Sequence, residues 1–267
     1  ILAVSQSGET ADVLNALEYA RLRACTILGI TNTVGSTLTR ISRAYILQNS
    51  GPEIGVAATK TFTSQVLVLS QLALRLAKLR GKIAQYEIDE IKSGLKKVPE
   101  MAGEVLDSVR LKMREVAEKL ADKNTIFLLG RGPAYSVAAE GRLKIMELSY
   151  TPCIAYPAGE SKHGPISVIQ EGTPVIFIAP YDDNRRLNIG SMMEMKARGA
   201  TIISIADRDD REIEEISDIF VGLPRIHPLL TPIIYVLPFQ LLAYYMALVK
   251  GHDPDKPRNL AKSVTVL

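Results

Sequence analysis

The sequence predicts an α/β protein of two tandem parallel-sheet, three-layer domains joined by helices, with a C-terminal tail. Three observations carry that expectation. Short β-branched apolar runs alternate with helical patterns, which implies parallel sheets and right-handed crossovers. The strand–turn–helix–strand pattern of residues 1–32 recurs at 176–207 at a constant offset, so that ACTILGI (24–30) lies over GATIISI (199–205). Each copy then ends in a strongly apolar helix closed by a glycine, Gly81 in one and Gly251 in the other. The expected division is a first domain over 1–82, a helical connector over 83–122, a second domain over 123–250 and a tail over 251–267. The second copy carries about fifty residues before its repeated part and the first carries none. The chain also opens inside a strand without Met, so the first domain is expected to lack its N-terminal strand and helix.

The elements follow in order. Ile1 to Ser5 is an apolar strand, and Ala11 to Ala24 a helix with Val13, Leu14, Leu17, Ala20 and Leu22 at helical spacing. Thr26 to Thr31 is a buried strand, 36–44 a short helix, 45–48 a strand, and Asn49-Ser50-Gly51-Pro52 a turn. A long apolar helix runs from Thr59 to Leu79. The connector is rich in Lys, Glu and Leu, and Pro99 divides it into two helices. Strand 125–130, helix 134–149, strand 153–156 and a polar loop 158–165 open the second domain. Strand 175–179, helix 184–197 and strands 201–206 and 219–223 continue it.

Bulk composition narrows the function. The chain has 267 residues, 47% hydrophobic and 23% charged, normal for a globular protein. A net charge of +3 without a basic run gives no support to a nucleic-acid partner. Cys25 and Cys153 stand far apart, and His163, His227 and His252 share no metal-ligand spacing. That usage fits a reducing cytoplasm, with no disulfide scaffold and no zinc site. No signal-peptide pattern opens the chain. Residues 228–249 carry no charge and are long enough to span a bilayer, but Pro228, Pro232 and Pro238 interrupt them. We read a buried core helix over about 239–250, and no membrane partner.

Chemistry concentrates first in Ser5-Gln6-Ser7-Gly8-Glu9-Thr10, a polar turn between a strand and a helix. A helix N-terminus offers unpaired N–H groups and partial positive charge, and hydroxyls around it make a phosphate site. Plain N-capping is the alternative, since Ser and Thr do that often. The second copy has Pro180-Tyr181-Asp182-Asp183-Asn184 at the equivalent place, where two acids repel a phosphate. This asymmetry favours phosphate binding in the first copy alone. In helix 134–149, Lys144 and Glu147 share a face among Leu143, Ile145, Met146 and Leu148, so partial burial and a proton-shuttle role are expected beside the alternative of a solvated ion pair. His163 lies in a glycine-flanked loop, as an acid–base group or a structural histidine. The tail mixes apolar and polar residues, so it is expected to pack rather than fray, holding Lys262 as an amine nucleophile; an exposed terminal lysine is the other reading.

The chain resembles the sugar-isomerase (SIS) half of the glutamine–fructose-6-phosphate aminotransferase (isomerising), or glucosamine-6-phosphate synthase, family. The matching motifs are Ser5 to Asp12, Glu53-Ile54-Gly55-Val56-Ala57-Ala58-Thr59-Lys60, Glu140-Gly141 with Leu143-Lys144 and Glu147, Gly159-Glu160 with Lys162 to Pro165, and Pro257 to Val266. They occur in family order across nearly the whole chain. The resemblance implies that Ser5, Gln6, Ser7 and Thr10 bind the phosphate of fructose 6-phosphate. It implies that Val56, Ala58 and Ala261 line the sugar and that Lys262 forms a Schiff base at C2. Glu147 is then the base between C1 and C2, Lys144 assists it, and His163 opens the ring. His163 reaches the neighbouring subunit in this family, so a homodimer is implied. No metal or organic cofactor is needed. The implied product is glucosamine 6-phosphate, with ammonia from a covalently linked glutaminase domain that this chain does not contain. Ala58 departs from the usual serine, and Leu267 from a common acidic terminus. A phosphosugar deaminase or isomerase of the same fold, and a non-catalytic sugar-phosphate regulator, are the rival expectations.

Overall fold

The computed structural model describes residues 1–265; Val266 and Leu267, and with them the departure at the terminus, lie outside the described residues. The chain forms two compact units, residues 1–73 with 255–267, and 74–254. Both are α/β units built on parallel sheets.

The first unit runs β1 (Leu2–Val4), α1 (Ala11–Leu22), β2 (Leu28–Thr31), α2 (Thr37–Ile41), β3 (Ala44–Leu47) and most of α3 (Lys60–Leu79). Its sheet has three parallel strands in the order β1-β2-β3. One face packs Ala3 and Ile27 against Leu17 of α1 and Leu38 of α2. The strand period of two sends Leu2, Leu28 and Ile46 to the other face, where they are exposed.

The second unit contains α4 (Gln85–Leu120), β4 (Ile126–Gly130), α5 (Pro133–Ser149), β5 (Cys153–Pro157), β6 (Pro174–Ala179), α6 (Arg185–Lys196), β7 (Thr201–Asp207), α7 (Arg211–Ile216), β8 (Ile219–Leu223), α8 (Thr231–Tyr235) and α9 (Leu237–Val249). Its five parallel strands are ordered β5-β4-β6-β7-β8. Phe127, Phe177 and Ile202 pack against Met192 and Met195 of α6 and Ile213 of α7. The alternate residues Leu128, Ile176, Ile203 and Ile205 are buried too, on the face toward which α5 packs. A parallel sheet buried on both faces reads as continuous apolar runs, which is why these strands were legible.

The repeat is real but its offset is not constant. Leu28 pairs with Leu2, whereas its counterpart Ile203 pairs with Ile176, one residue earlier than the offset gives. Core parity decides this: Ala3 faces α1 as Phe177 faces α6, and the spare residue is taken up in the polar loop.

One other expectation changes, one holds and one element is new. Pro99 does not divide the connector: α4 is one helix of 36 residues with Pro99 inside it. Proline removes one intrahelical hydrogen bond, but Ile88, Ile91, Val98, Val105, Val109 and Met113 are buried along one stripe and hold the helix through it. The uncharged segment 228–249 is broken into a 3-10 turn at Pro228–Leu230, α8 and α9. By length and composition it passes as a membrane span. Yet α9 has 13 residues, about 20 Å of helix, and packs Phe239, Leu242 and Met246 into the unit against α4 and α5. Helix α7 was not anticipated, although Asp210 marks its start.

Asp210 is wholly buried, accepts from the Ile213 amide at 3.2 Å and takes two hydrogen bonds from the Arg185 guanidinium at 2.5 and 2.6 Å. Burial works to raise this carboxyl, but the Arg185 hydrogen bonds, the Ile213 amide and the charges of Arg185 and Arg225 outweigh it and hold it below its ordinary 3.8. A depressed carboxyl lends stability that is complete above its unfolded value and is lost as pH falls through the folded one. Asp210→Asn is therefore expected to cost about 2 kcal/mol at pH 7 and less on acidification. Urea midpoints at pH 7 and pH 3 check it; an equal loss at both would remove the charge from the explanation.

Candidate active site

The candidate residues fall into one group in each unit. In the first, the loop between β1 and α1 is shaped by its own hydroxyls. Ser5, almost fully buried, accepts from the Gly8 amide at 3.1 Å and meets the Thr10 hydroxyl at 3.1 Å. Ser7 accepts from the Glu9 amide at 3.2 Å. The Gln6 carbonyl takes the Asn32 amide at 3.0 Å and the Thr31 hydroxyl at 3.2 Å, which ties the loop to the end of β2. Thr10 stands at the N-cap of α1 but makes no side-chain cap hydrogen bond. Its hydroxyl turns inward to Ser5 instead, which weakens the capping alternative. The acid in the loop is turned aside: Glu9 accepts from the Thr37 amide at 2.7 Å, and that bond, with the Thr37 hydroxyl and Arg40, holds it below the ordinary carboxylate value.

Gly8 has φ +67°, and a Cβ there would land on Ser36 Oγ and 2.7 Å from Ser36 Cβ. Gly8→Ala is expected to cost about 2–4 kcal/mol, part from the left-handed backbone and part from displacing Ser36. Denaturation midpoints check this; a loss under about 0.5 kcal/mol would show that the loop relaxes freely.

The tail lies along this unit. The Val56 amide donates to the Asp255 carbonyl at 3.3 Å, the Ser263 hydroxyl to Ser7 Oγ at 3.1 Å, and the Ala11 amide to the Val264 carbonyl at 3.0 Å. One orphan donor of the α1 N-terminus is thus met by the tail. Lys262 is partly buried, and its Nζ donates to the Gly55 carbonyl at 2.8 Å, the Val56 carbonyl at 3.4 Å and Glu53 Oε2 at 3.5 Å. The exposed-lysine reading is set aside by these three contacts. Ala58 is half-buried and Ala261 exposed.

In the second unit, α5 begins with Pro133 at its first turn and ends at Tyr150 in the left-handed conformation. Gly141 lets α9 close in, since a Cβ there would be 2.6 Å from Phe239 Cδ1. Lys144 is 2% exposed, with Nζ 2.6 Å from Glu147 Oε2 and 3.4 Å from Glu140 Oε1. Spacings of three and four residues bring both carboxylates to the one ammonium. The expected burial holds for Lys144, Ile145 and Leu148, with Lys144 among the most deeply buried side chains, whereas its neighbours Leu143 and Met146 are exposed. Burial raises the Glu140 carboxyl and the repulsion of Glu147 adds to it, against the lowering pull of Lys144. His163 ends the 3-10 turn 158–163 and is exposed, and among the described residues no hydrogen bond joins it to Lys144 or Glu147.

Two residues stand in the geometry without having been assigned roles, Glu140 and Glu53. Glu140 had a local signal, its place four residues before Lys144. Glu53 had none, because its charged partner lies 209 residues away in sequence. Among the described residues no three His, Cys, Asp or Glu side chains group as metal ligands.

Comparison with known proteins gives the family. The SIS domain model matches residues 1–75 and 119–250. A glutamine–fructose-6-phosphate aminotransferase (isomerizing) of Thermococcus kodakarensis is 46% identical over 266 residues, which cover 100% of this chain and 44% of that protein. The chain thus spans under half the length of that curated relative. The C-terminal domain of glucosamine-fructose-6-phosphate aminotransferase from Francisella tularensis superposes with a TM-score of 0.90 at 33% identity, covering 96% of this chain and 73% of that one. A glucosamine-6-phosphate deaminase of Thermotoga maritima, at 23% identity, TM-score 0.71 and coverage of 98% and 74%, shares the fold. The chain belongs to the SIS-domain family, closely related to the isomerase domain of glutamine–fructose-6-phosphate aminotransferase.

Proposed function

We propose that this chain performs the sugar half-reaction of a glucosamine-6-phosphate synthase: it binds fructose 6-phosphate, opens its ring and converts it through a lysine imine. The observation that carries the reading is Lys262, brought by the tail to the unit that holds the hydroxyl loop, with Ser263 and Val264 touching that loop and the start of α1. Ser5, Gln6, Ser7 and Thr10 hold the phosphate by N–H and O–H donors, and the backbone of Val56 with Ala58 and Ala261 lines the sugar. Lys262 gives up a proton and its amine attacks the C2 carbonyl. The C–N bond forms, the carbonyl oxygen leaves as water, and a cationic imine remains. Glu147 then moves a proton between C1 and C2, with Lys144 holding its carboxylate in place, and His163 serves ring opening. Ammonia from a linked glutaminase domain adds to C2 of the imine and the Lys262 amine is expelled, so the C2–Nζ bond breaks as the new C2–N bond is kept, and with the proton moved from C1 to C2 the product is glucosamine 6-phosphate. This chemistry asks for no metal or organic cofactor.

The same reading includes a cytoplasmic homodimer and the division into domains 1–82 and 123–250 with connector 83–122 and tail 251–267. The exposed apolar side chains Tyr135, Leu143 and Met146 of α5, with Ile154 of the strand packed beside it, suit a second copy. The deciding experiment is a borohydride trap: incubate with fructose 6-phosphate, reduce, digest, and seek a hexitol-phosphate adduct on Lys262 by mass spectrometry. An adduct there supports the imine. Its absence while the sugar phosphate still binds would turn the assignment toward a binding protein.

A further inference from the structure

The Glu53 carboxylate is built as a fixed charge. Its side chain is 4% exposed. Oε1 accepts from the Thr59 amide at 2.7 Å and the Thr59 hydroxyl at 3.0 Å. Oε2 accepts from the Thr61 hydroxyl, itself fully buried, and from Lys262 at 3.5 Å. A carboxylate has about four lone-pair sites, and these four donors fill them. Burial alone would raise the Glu53 carboxyl; the hydrogen bonds from Thr61 and Thr59 and the charge of Lys262 overcome that and hold it below its ordinary 4.5. A carboxylate so satisfied is a poor proton acceptor and a good counter-charge.

We propose that Glu53 is a positioning residue that serves as the fixed counter-charge of the Lys262 nitrogen, in the resting ammonium and again in the cationic imine. This rests on the Lys262 reading above. The resting Nζ has two carbonyl acceptors and one carboxylate. An imine nitrogen keeps one N–H in place of three, so at least one of the Gly55 and Val56 carbonyls loses its donor. The positive charge stays, and the carboxylate alone of the three acceptors is charged to meet it. Its orientation does not change, because Thr59 and Thr61 fix it independently of Lys262. Preorganised charge of this kind stabilises the charged intermediate without reorganisation.

The test compares Glu53→Gln with the wild-type chain by two readouts. One is the fraction trapped by borohydride at saturating fructose 6-phosphate. The other is the affinity for glucitol 6-phosphate, which has the phosphate but no carbonyl. The expected result is a trapped fraction lowered about tenfold or more, with glucitol 6-phosphate affinity within about threefold. Equal trapping in both proteins would overturn the proposal and leave the lysine reading intact. Parallel loss of trapping and affinity would overturn it in favour of a loop staple. No adduct in the wild-type chain would overturn the lysine reading, and this proposal with it. Should Glu53→Gln fail to fold, Thr61→Val removes one hydroxyl from the carboxylate without touching Lys262. Trapping is then expected to fall about two- to fivefold at unchanged affinity, and unchanged trapping would overturn the proposal.

Discussion

Lys262→Met is expected to abolish the borohydride adduct and to lower conversion of fructose 6-phosphate below about one thousandth of the wild-type rate. The large effect follows from what is removed. A tethered amine meets the carbonyl at an effective concentration that free amine in solution does not approach. Methionine keeps most of the stem volume and loses the nitrogen. The variant also removes one of the four donors to Glu53, an ion pair at 3.5 Å with a nearly buried carboxylate. That second effect concerns stability, about 1–3 kcal/mol, and a denaturation curve separates it from the chemical one. The hydroxyl loop keeps its internal hydrogen bonds Ser5–Gly8, Ser5–Thr10 and Ser7–Glu9, none of which involves the tail. Glucitol 6-phosphate should therefore still bind. A variant that retains conversion above one tenth of wild type would remove the imine from the reaction.

Much of this arrangement was open to reading in the sequence, for identifiable reasons. The strands of the second unit are buried on both faces, so their apolar runs stand out at Phe127, Ile176 and Ile203. Ser5 to Thr10 is local, and a strand followed by hydroxyls and a helix carries its meaning within ten residues. What failed to show was long-range or tertiary. Pro99 argues for a break from its own chemistry, and only the buried stripe of α4 on both sides of it overrides that preference. Lys144 carries a surface residue's chemistry, and its deep burial beside exposed Leu143 and Met146 runs against the hydrophobic pattern. Such a local violation is what a functional site looks like from the sequence side. Glu53 is the extreme case: its hydrogen-bond partners Thr59 and Thr61 are near, but its charge partner comes from the far end of the chain.

The deep burial of Lys144 leads to the largest expected stability effect. Lys144→Met leaves Glu140 and Glu147, with side chains 13% and 20% exposed, facing the place of a lost ammonium. Removing one partner of a buried pair costs about 3–5 kcal/mol, because the remaining charge stays desolvated. Two carboxylates remain here, so the loss should depend on pH. Glu140 is already raised by burial with the ammonium present. Without it, protonation of Glu140 becomes the cheapest relief, and a carboxyl raised above its unfolded value costs stability as pH rises through the interval between the two. Lys144→Met should thus be least harmful near pH 4.5 and most harmful at pH 8. Adding Glu140→Gln should recover about 1–2 kcal/mol at pH 8 by removing one of the two charges. It should not recover catalysis, because Glu147 still lacks the ammonium that holds its carboxylate 2.6 Å away. Urea denaturation at the two pH values and deuterium exchange at C1 and C2 of the sugar read the two effects separately. A destabilisation independent of pH would mean lost packing of the lysine stem rather than unpaired charge. Recovered exchange in the double variant would show that Glu147 does not need Lys144.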